Sequence, residues 1–401
     1  MSDWKEYRLG DIADFNYGSM PKKEKLGKGE FPTFSGYKYQ YKYPEFNCQK
    51  GNVVVVARGV GGTGDVKIVK EKCYLTNLSI LIKLNNNIIN NQYFYYLYLP
   101  NTLRYLDSGS AQSQITISDL RDIKLSIPNL PTQTAIAEIL SSLDDKIELN
   151  NKINQKLETL AQTLFKQWFI DFEFPNKNGE PYKSSGGEMV DSELGEIPKG
   201  WEVVTIDDVT EIVTKGTTPT TIGGRFTEKG INFIKVESLT ESGAFIKSKF
   251  AHIDDETNQL LKRSVIKKGD VLFSIAGTIG RVAVITNEIL PANTNQAIAI
   301  IRPNKISSYF LKILMQSSLI QNDTQSNIVQ AVQANLSLSV IKSTKFILPL
   351  NNILSMIDIQ LNNIYDNINL LTNENENLTT LRDTLLPKLI SGELEINEIK
   401  N

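Results

Sequence analysis

Two kinds of hydrophobic pattern alternate along the chain. Short runs of β-branched or aromatic residues, at 53–56, 78–82, 271–275 and 297–301, are broken by glycine and proline and predict strands. After Pro128 and Pro131 the spacing changes. Apolar residues then recur in steps of mostly three and four at Ile136, Leu140, Leu143, Ile147, Ile153, Leu157, Leu160, Leu164 and Trp168, which predicts one long amphipathic helix. A second stripe runs through Ile357, Leu361, Ile364, Ile368, Leu371, Leu378, Leu381, Leu385 and Leu389, spaced like a coiled-coil seam and interrupted at Glu374. A helix of about 40 residues is roughly 60 Å long, more than a compact domain needs, so each must pack on something comparable. An ordinary amphipathic helix lying on its own globule is the plainer alternative.

The two patterns come in the same order twice, and the letters agree. Trp4, Leu9, Asp11 and Ile12 recur 197 positions later as Trp201, Ile206, Asp208 and Val209, and Gly18-Ser19-Met20-Pro21 recurs as Gly216-Thr217-Thr218-Pro219. Gly51 with Val53 to Val55 returns as Gly269 with Val271 to Phe273, and Thr76-Asn77 as Thr294-Asn295. From Ile117, Leu120 and Pro128 onward the offset is 221, to Leu338, Ile341 and Pro349. The chain is one unit written twice. The expected fold class is mixed α/β (α+β), with two β-rich globules separated by two long helices that pack as an antiparallel coiled coil. Asn154 and Asn375 occupy matching seam positions near the helix midpoints, where a polar pair fixes register. The expected boundaries are 1–130 for the first globule, 131–173 for a central helix, 174–198 for a linker without periodicity, 199–350 for the second globule, 351–392 for a C-terminal helix and 393–401 for a tail.

Charge follows the same division. The net charge of −2 over 401 residues resolves into +5 over residues 1–130, −6 over 131–198, +4 over 199–350 and −5 over 351–401. The globules are basic and the helices acidic, which points to a polyanion with two separated sites, duplex DNA being the leading case. A composition of 41% hydrophobic and 22% charged residues excludes wholesale disorder. No apolar run approaches the length of a membrane span, and no apolar segment follows the first charged residues, so a cytoplasmic protein is expected. Two cysteines, Cys48 and Cys73, and one histidine, His252, make neither a disulfide framework nor a zinc site.

Gly59 to Gly64 satisfies the G-x-G-x-x-G pattern, but the following Val66, Ile68 and Val69 read as a strand and no acidic residue stands about 20 positions on. The counterpart, Gly277-Thr278-Ile279-Gly280, shows that the shared element is a glycine turn between strands, enlarged in the first copy. No phosphate loop or nucleophile elbow is present, so the chain is expected to bind rather than catalyse. Candidate DNA contacts in the first copy are Lys22 and Lys23, the alternating Tyr37, Lys38, Tyr39, Tyr41 and Lys42, Arg58, and Gln112 with Gln114. The alternating stretch suits phosphate and groove contact, and equally a solvated edge strand. In the second copy the candidates are Lys215, Thr217, Thr218, Arg225, Lys235, Arg281, Gln333 and Asn335. Arg58 aligns with Ala276, and Gln112 and Gln114 align with Gln333 and Asn335. Polar positions that differ in matching loops are where two readers would differ, arginine pairing with guanine and glutamine with adenine. Exposed polar loop residues are, more often, simply solvated.

The doubled architecture, the glycine turn of residues 269–281, the helix start Leu130-Pro131-Thr132-Gln133 and the stretch Glu196-Ile197-Pro198-Lys199-Gly200-Trp201 together resemble the specificity subunit of type I restriction-modification systems. The resemblance spans essentially the whole chain. It implies two target-recognition domains, each reading one half of a split, asymmetric DNA sequence, with the two antiparallel helices acting as a ruler between them. It also implies partners. Two methyltransferase subunits would dock on the helices and use S-adenosylmethionine to methylate adenine, and restriction-translocase subunits would add ATP- and Mg2+-dependent movement and cleavage. This chain would bind no cofactor, in keeping with its lack of a phosphate loop and of an Asn/Asp-Pro-Pro-Tyr/Phe motif. Two alternatives from other classes are an autonomous DNA-modifying enzyme, and a coiled-coil scaffold joining two protein-binding domains.

Overall fold

A computed structural model describes residues 4–36, 38–59, 62–107, 113–322 and 335–396. Two long helices run Leu130–Phe169 and Asn351–Ser391. Asn129 opens the first by accepting from the Thr132 amide at 3.0 Å, with Pro131 in the first turn, where its missing N–H costs nothing. The chain divides into two compact units, Met1–Asn150 with Thr372–Asn401, and Asn151–Leu371. Each unit therefore combines one β-rich globule with one stretch of each long helix.

Within the first unit, Ala13–Tyr17, Ser79–Leu84, Val53–Val56 and Val66–Ile68 form a four-stranded antiparallel sheet in that order. The valine strand shows why. With a period of two, Val53, Val55 and Ala57 enter one hydrophobic cluster, with Leu9, Ile80, Tyr93 and Phe94, while Val54 enters another, with Phe34, Leu75 and Leu81. A strand buried on both faces reads as a continuous apolar run. Each valine so buried is worth about 1.5–3 kcal/mol. A smaller sheet pairs Lys38–Tyr43 with Phe31–Ser35, and Phe31–Ser35 in parallel with Tyr74–Leu75. Cys48 and Cys73 face each other across an isolated antiparallel bridge, both buried and free.

The second unit repeats the plan. Thr210–Lys215, Ile298–Pro303, Val271–Ser274 and Val282–Val284 form the same antiparallel sheet in the same order. Val271, Phe273 and Ile275 face the cluster that includes the helices, and Leu272 faces another. The smaller sheet has four strands here, with Ile231–Ile234 parallel to Ala292–Thr294. In both copies an entry strand pairs with the strand that leads into the long helix: Lys5–Arg8 with Lys124–Ile127, and Glu202–Thr205 with Lys345–Leu348.

The helical stretches in each unit run antiparallel. In the first, Asp144 meets Arg382 and Asn150 meets Asn375; in the second, Glu158 meets Tyr365. Asn150 donates to both Asn375, at 2.9 Å, and Glu374, at 2.8 Å, so the break in the stripe at Glu374 is filled by a polar cluster one turn before Asn154. Two residues counted on the seam differ from expectation. Leu160 is 52% exposed and its counterpart Leu381 47%, while Ala161 and Arg382 turn inward in their place. The reason is geometric: 3.6 residues per turn drifts against a strict seam, so a stripe read at fixed spacing loses phase along 40 residues.

Residues 174–198 are ordered rather than featureless. Met189–Ser192 and Gly195–Pro198 form a hairpin, and Phe174 stacks between Tyr182, at 4.5 Å, and Trp201, at 4.9 Å. Phe169, at the end of the central helix, packs on Trp201. The repeat is matched at the other helix end. A Cβ on Gly392 would lie 3.1 Å from the Trp4 ring. Each tryptophan found by self-comparison therefore buttresses the end of a long helix.

Candidate nucleic-acid interface

The loops that leave one end of each four-stranded sheet are drawn together by backbone contacts. In the first unit the Gly18 and Ser19 amides donate to Ser79 and Leu75, both at 3.0 Å. A Cβ on Gly18 would lie 2.1 Å from the Thr76 carbonyl oxygen, so only glycine lets this loop close onto the Thr76 turn. The Ala57 and Arg58 amides donate to Leu78, the Ile115 amide donates to Ala57, and Arg58 bridges Gln114. Asp107 holds this edge by accepting from the Gln114 amide at 2.9 Å and from the Ser113 hydroxyl. Gly18, Ser19, the Thr76 turn, Arg58 and Gln114 thus share one rim.

The second unit builds the same rim. A Cβ on Gly216 would lie 1.8 Å from the Thr294 carbonyl oxygen. Ile275 donates to Ala297 at 2.8 Å, Leu336 donates to Ile275 at 2.9 Å, and Ala276 bridges Asn335. Thr218 donates its hydroxyl to Gln296 at 2.6 Å. The positions matched in the sequence, 58 with 276 and 114 with 335, are therefore side by side in each copy. Their side chains differ while their frames agree. Gln296 belongs to this rim and escaped the sequence reading, although the adjacent Thr294-Asn295 repeat marks its turn. The glycine turns differ in length: Val56 donates to Asp65, whereas Ser274 donates to Arg281. A strand, Val66–Ile68, follows the first turn, as rejection of a dinucleotide site requires.

The remaining candidates sit as follows. Lys22 and Lys23 are exposed, and the Lys22 amide donates to the buried Tyr43 hydroxyl at 3.2 Å. Lys38–Tyr43 is the edge strand of its sheet. Tyr41 and Lys42 are exposed, Lys42 reaching the Glu30 carbonyl at 3.0 Å. Tyr39 turns inward against Phe34 and accepts from the Lys70 amide at 2.8 Å, and its burial pushes the phenol up. Lys38 is exposed beside it. In the second unit Lys215 is exposed and Thr217 half-buried. Lys235 places its ammonium 5.0 Å from the Phe226 ring centre. Arg225, 75% exposed, pairs with Asp254 at 2.7 Å. Hydrogen bonds from the Thr257 hydroxyl and amide, and then Arg225, hold the Asp254 carboxyl down at about 2. Arg281 points inward, donating to the Val236 and Leu239 carbonyls at 3.0 and 2.6 Å, which commits that nitrogen to a turn of the protein. Tyr37, Gln112 and Gln333 lie outside the described residues. Among the described residues no group of three or more His, Cys, Asp or Glu side chains is placed to hold a metal ion, and no helix is long and apolar enough to cross a membrane.

A family model for the type I restriction modification DNA specificity domain matches this chain twice, over residues 1–159 and 198–380. The chain belongs to the type I restriction-modification specificity subunits. The two matches fall on the two copies of the repeat. Among curated relatives, the specificity subunit of the type I restriction enzyme HindI from Haemophilus influenzae is 26% identical, over 98% of this chain and 100% of its own length. The MjaIX specificity subunit from Methanocaldococcus jannaschii is 27% identical, over 99% and 95%. Among solved structures, the S subunit of a type I restriction-modification system from M. genitalium has the same fold, with a TM-score of 0.62 at 17% identity and 96% of each chain covered. The doubled reader-and-helix plan is thus the plan of a specificity subunit.

Proposed function

We propose that each unit of this specificity subunit reads one half of a split DNA target at the rim described above, and that the paired helices set the gap between the halves. The observation that carries this reading is the duplicated rim. In both copies a glycine packs on the turn carbonyl, the strand-end amide of Ala57 or Ile275 donates to Leu78 or Ala297, and Ile115 or Leu336 donates back to that strand end, yet Arg58 stands where the other copy has Ala276, and Gln114 where it has Asn335. A common frame with different base-facing groups is what recognition of an asymmetric sequence needs. Exposed Lys22, Lys23, Lys38 and Lys42 in the first copy and Lys215 in the second supply phosphate contacts. The chain contributes recognition, and the chemistry belongs to its partners: two methyltransferase subunits docked on the helices, holding S-adenosylmethionine, and restriction-translocase subunits using ATP and Mg2+.

The experiment is a length change in the ruler. Insertion of seven residues in each helix, after Asn150 and after Leu371, falls at the division between the units. It keeps the packing face nearly in phase and adds about 10.5 Å, the length of roughly three base-pair steps. Methylation mapping in a host expressing the partner subunits is expected to show both half-sites unchanged and the gap widened by three. An unchanged gap with intact methylation removes the ruler.

A further inference from the structure

Besides single contacts such as Lys70 to Glu148 and Ser307 to Asp358, each reader meets its helices at a polar cluster built around one carboxylate, and the two clusters use the same three kinds of group in rotated positions. In the first unit Tyr96, on the short helix Asn91–Leu97, donates its hydroxyl to Asp144 at 2.7 Å, and Arg382 donates to the other Asp144 oxygen at 2.6 Å. In the second, Lys312, on the short helix Ser308–Gln316, lies 2.7 Å from Glu158, and the Tyr365 hydroxyl donates to the other Glu158 oxygen at 3.1 Å. Lys312 is only 6% exposed, and its ammonium sits 4.1 Å from the Tyr365 ring centre. Burial pushes that ammonium down against the pull of Glu158.

The repeat makes the clusters comparable position by position. Asn90 and Ser307 cap the short helices through the Tyr93 and Phe310 amides, which sets Tyr95, the neighbour of Tyr96, at the place of Lys312. On the long helices the offset of 221 matches Asp144 with Tyr365, Ala161 with Arg382, and Glu158 with Thr379, one turn before Arg382. Along short helix, leading helical stretch and trailing helical stretch, the first unit has phenol, carboxylate and cation. The second has cation, phenol and carboxylate.

We infer that these clusters form an assembly code, in which each seat is charge-balanced only when its leading and trailing helical stretches come from different halves of the sequence. Were the first half to pair with a second copy of itself, its seat would hold Asp144 and Glu158 together with Tyr96. Ala161 would stand in place of Arg382, and the lysines of that helix, Lys146, Lys152, Lys156 and Lys166, are all exposed. Were the second half to do so, Lys312 and Arg382 would share a seat with Tyr365 and no acceptor for Lys312, since Asp383 lies beside Arg382 and is 57% exposed. Leaving a buried charge without its partner is far costlier than never burying the pair. The helices of this chain thus accept the complementary half and reject another copy of the same half.

The test recreates the like-with-like seat inside the intact chain. Thr379→Glu with Arg382→Ala gives the first unit the residues that Glu158 and Ala161 would bring. Hydrogen-exchange protection in that unit is expected to fall about a hundredfold or more, with the second unit unchanged. Asp144→Lys then decides the matter. Alone, it sets a second cation beside Arg382 and lowers protection. Added to Thr379→Glu/Arg382→Ala, it restores a cation facing a carboxylate and raises protection at least about tenfold. A cluster acting only through packing makes Asp144→Lys harmful in both backgrounds. That result, or a chain equally unfolded with and without Asp144→Lys, overturns the code.

Discussion

The ion pair between Asp270 and Arg302 tests whether the two readers are independent bodies. Asp270 is fully buried and accepts from Arg302 Nε at 2.7 Å, from Arg302 Nη2 at 2.8 Å and from the Lys267 amide at 2.7 Å. Arg302 is 14% exposed, and the hydrogen bonds it donates to Asp270 hold its pKa above the usual arginine value. Asp270→Ala strands a mostly buried guanidinium and an amide. The expected cost is about 3–5 kcal/mol, the range for removing one partner of a buried pair. The matching described positions of the first reader hold no such pair. There Asn52 stands in place of Asp270, and strand register sets the exposed Lys83 in place of Arg302. Hydrogen exchange followed strand by strand should therefore show protection at Val271–Ser274 and Ile298–Pro303 falling by roughly 10² to 10³ or more, with Val53–Val56 and Ser79–Leu84 unaltered. In the melting curve the second unit, of about 220 residues, should unfold roughly 6–20 °C earlier. The double variant Asp270→Leu/Arg302→Met should recover most of the loss, because an apolar pair of similar volume carries no buried charge. Two results refute the reasoning. One is a single variant within about 2 °C of the parent; the other is a double variant no more stable than the single.

Two further outcomes follow from local geometry. Gly216→Ala forces a methyl group to within 1.8 Å of the Thr294 carbonyl, so the loop carrying Thr217 and Thr218 must open, at a cost of at least about 1–3 kcal/mol. A melting temperature unchanged from the parent would show that the loop does not close as described. Asp254 caps the helix Asp255–Leu260, and its folded pKa of about 2 lies below the ordinary 3.8. The sign follows: the carboxylate's contribution to stability is fully present above pH 3.8 and is lost as pH falls through about 2. Carbon-detected NMR titration should place the midpoint near 2, and Thr257→Val, which removes the first cause, should raise it.

How much of this was legible in the letters depended on whether the information was local. The repeat was legible because matching tryptophans, glycines and prolines sit at nearly constant offsets, and the strands at 53–56 and 271–274 because buried β-branched runs announce themselves. The start of the central helix is set locally, by Asn129 and Pro131, so its signal is carried by neighbouring residues. What failed to show was set by distant contacts. Leu160 and Leu381 fell off the seam because phase drifts over a long helix. The hairpin at residues 189–198 has no alternating apolar pattern, because its contribution to the core is confined to Ile197 and Met189 rather than spread along the strands. For side chains the gap is wider. Nothing near Arg281 in sequence reveals that its guanidinium is held by carbonyls some 40 positions away, whereas Arg58, at the matching rim, stays exposed.

That contrast bears on how a doubled protein reads two different half-sites. Key backbone contacts at the rims recur in both copies, from the Gly18 and Gly216 closures to the bridges at 58–114 and 276–335. Side chains at the same places are not. A shared backbone frame lets side chains at the rim vary without disturbing the sheet beneath, because the closures rest on main-chain groups that every residue carries. The glycines are the exception, since no side chain fits there. The seats on the helices follow the opposite logic: there the side chains themselves do the fastening, so the two copies cannot drift freely and their groups are complementary across the halves. Readers free to diverge on a frame, fastened by seats that are not interchangeable, keep two half-sites in a fixed order, which is what an asymmetric target demands.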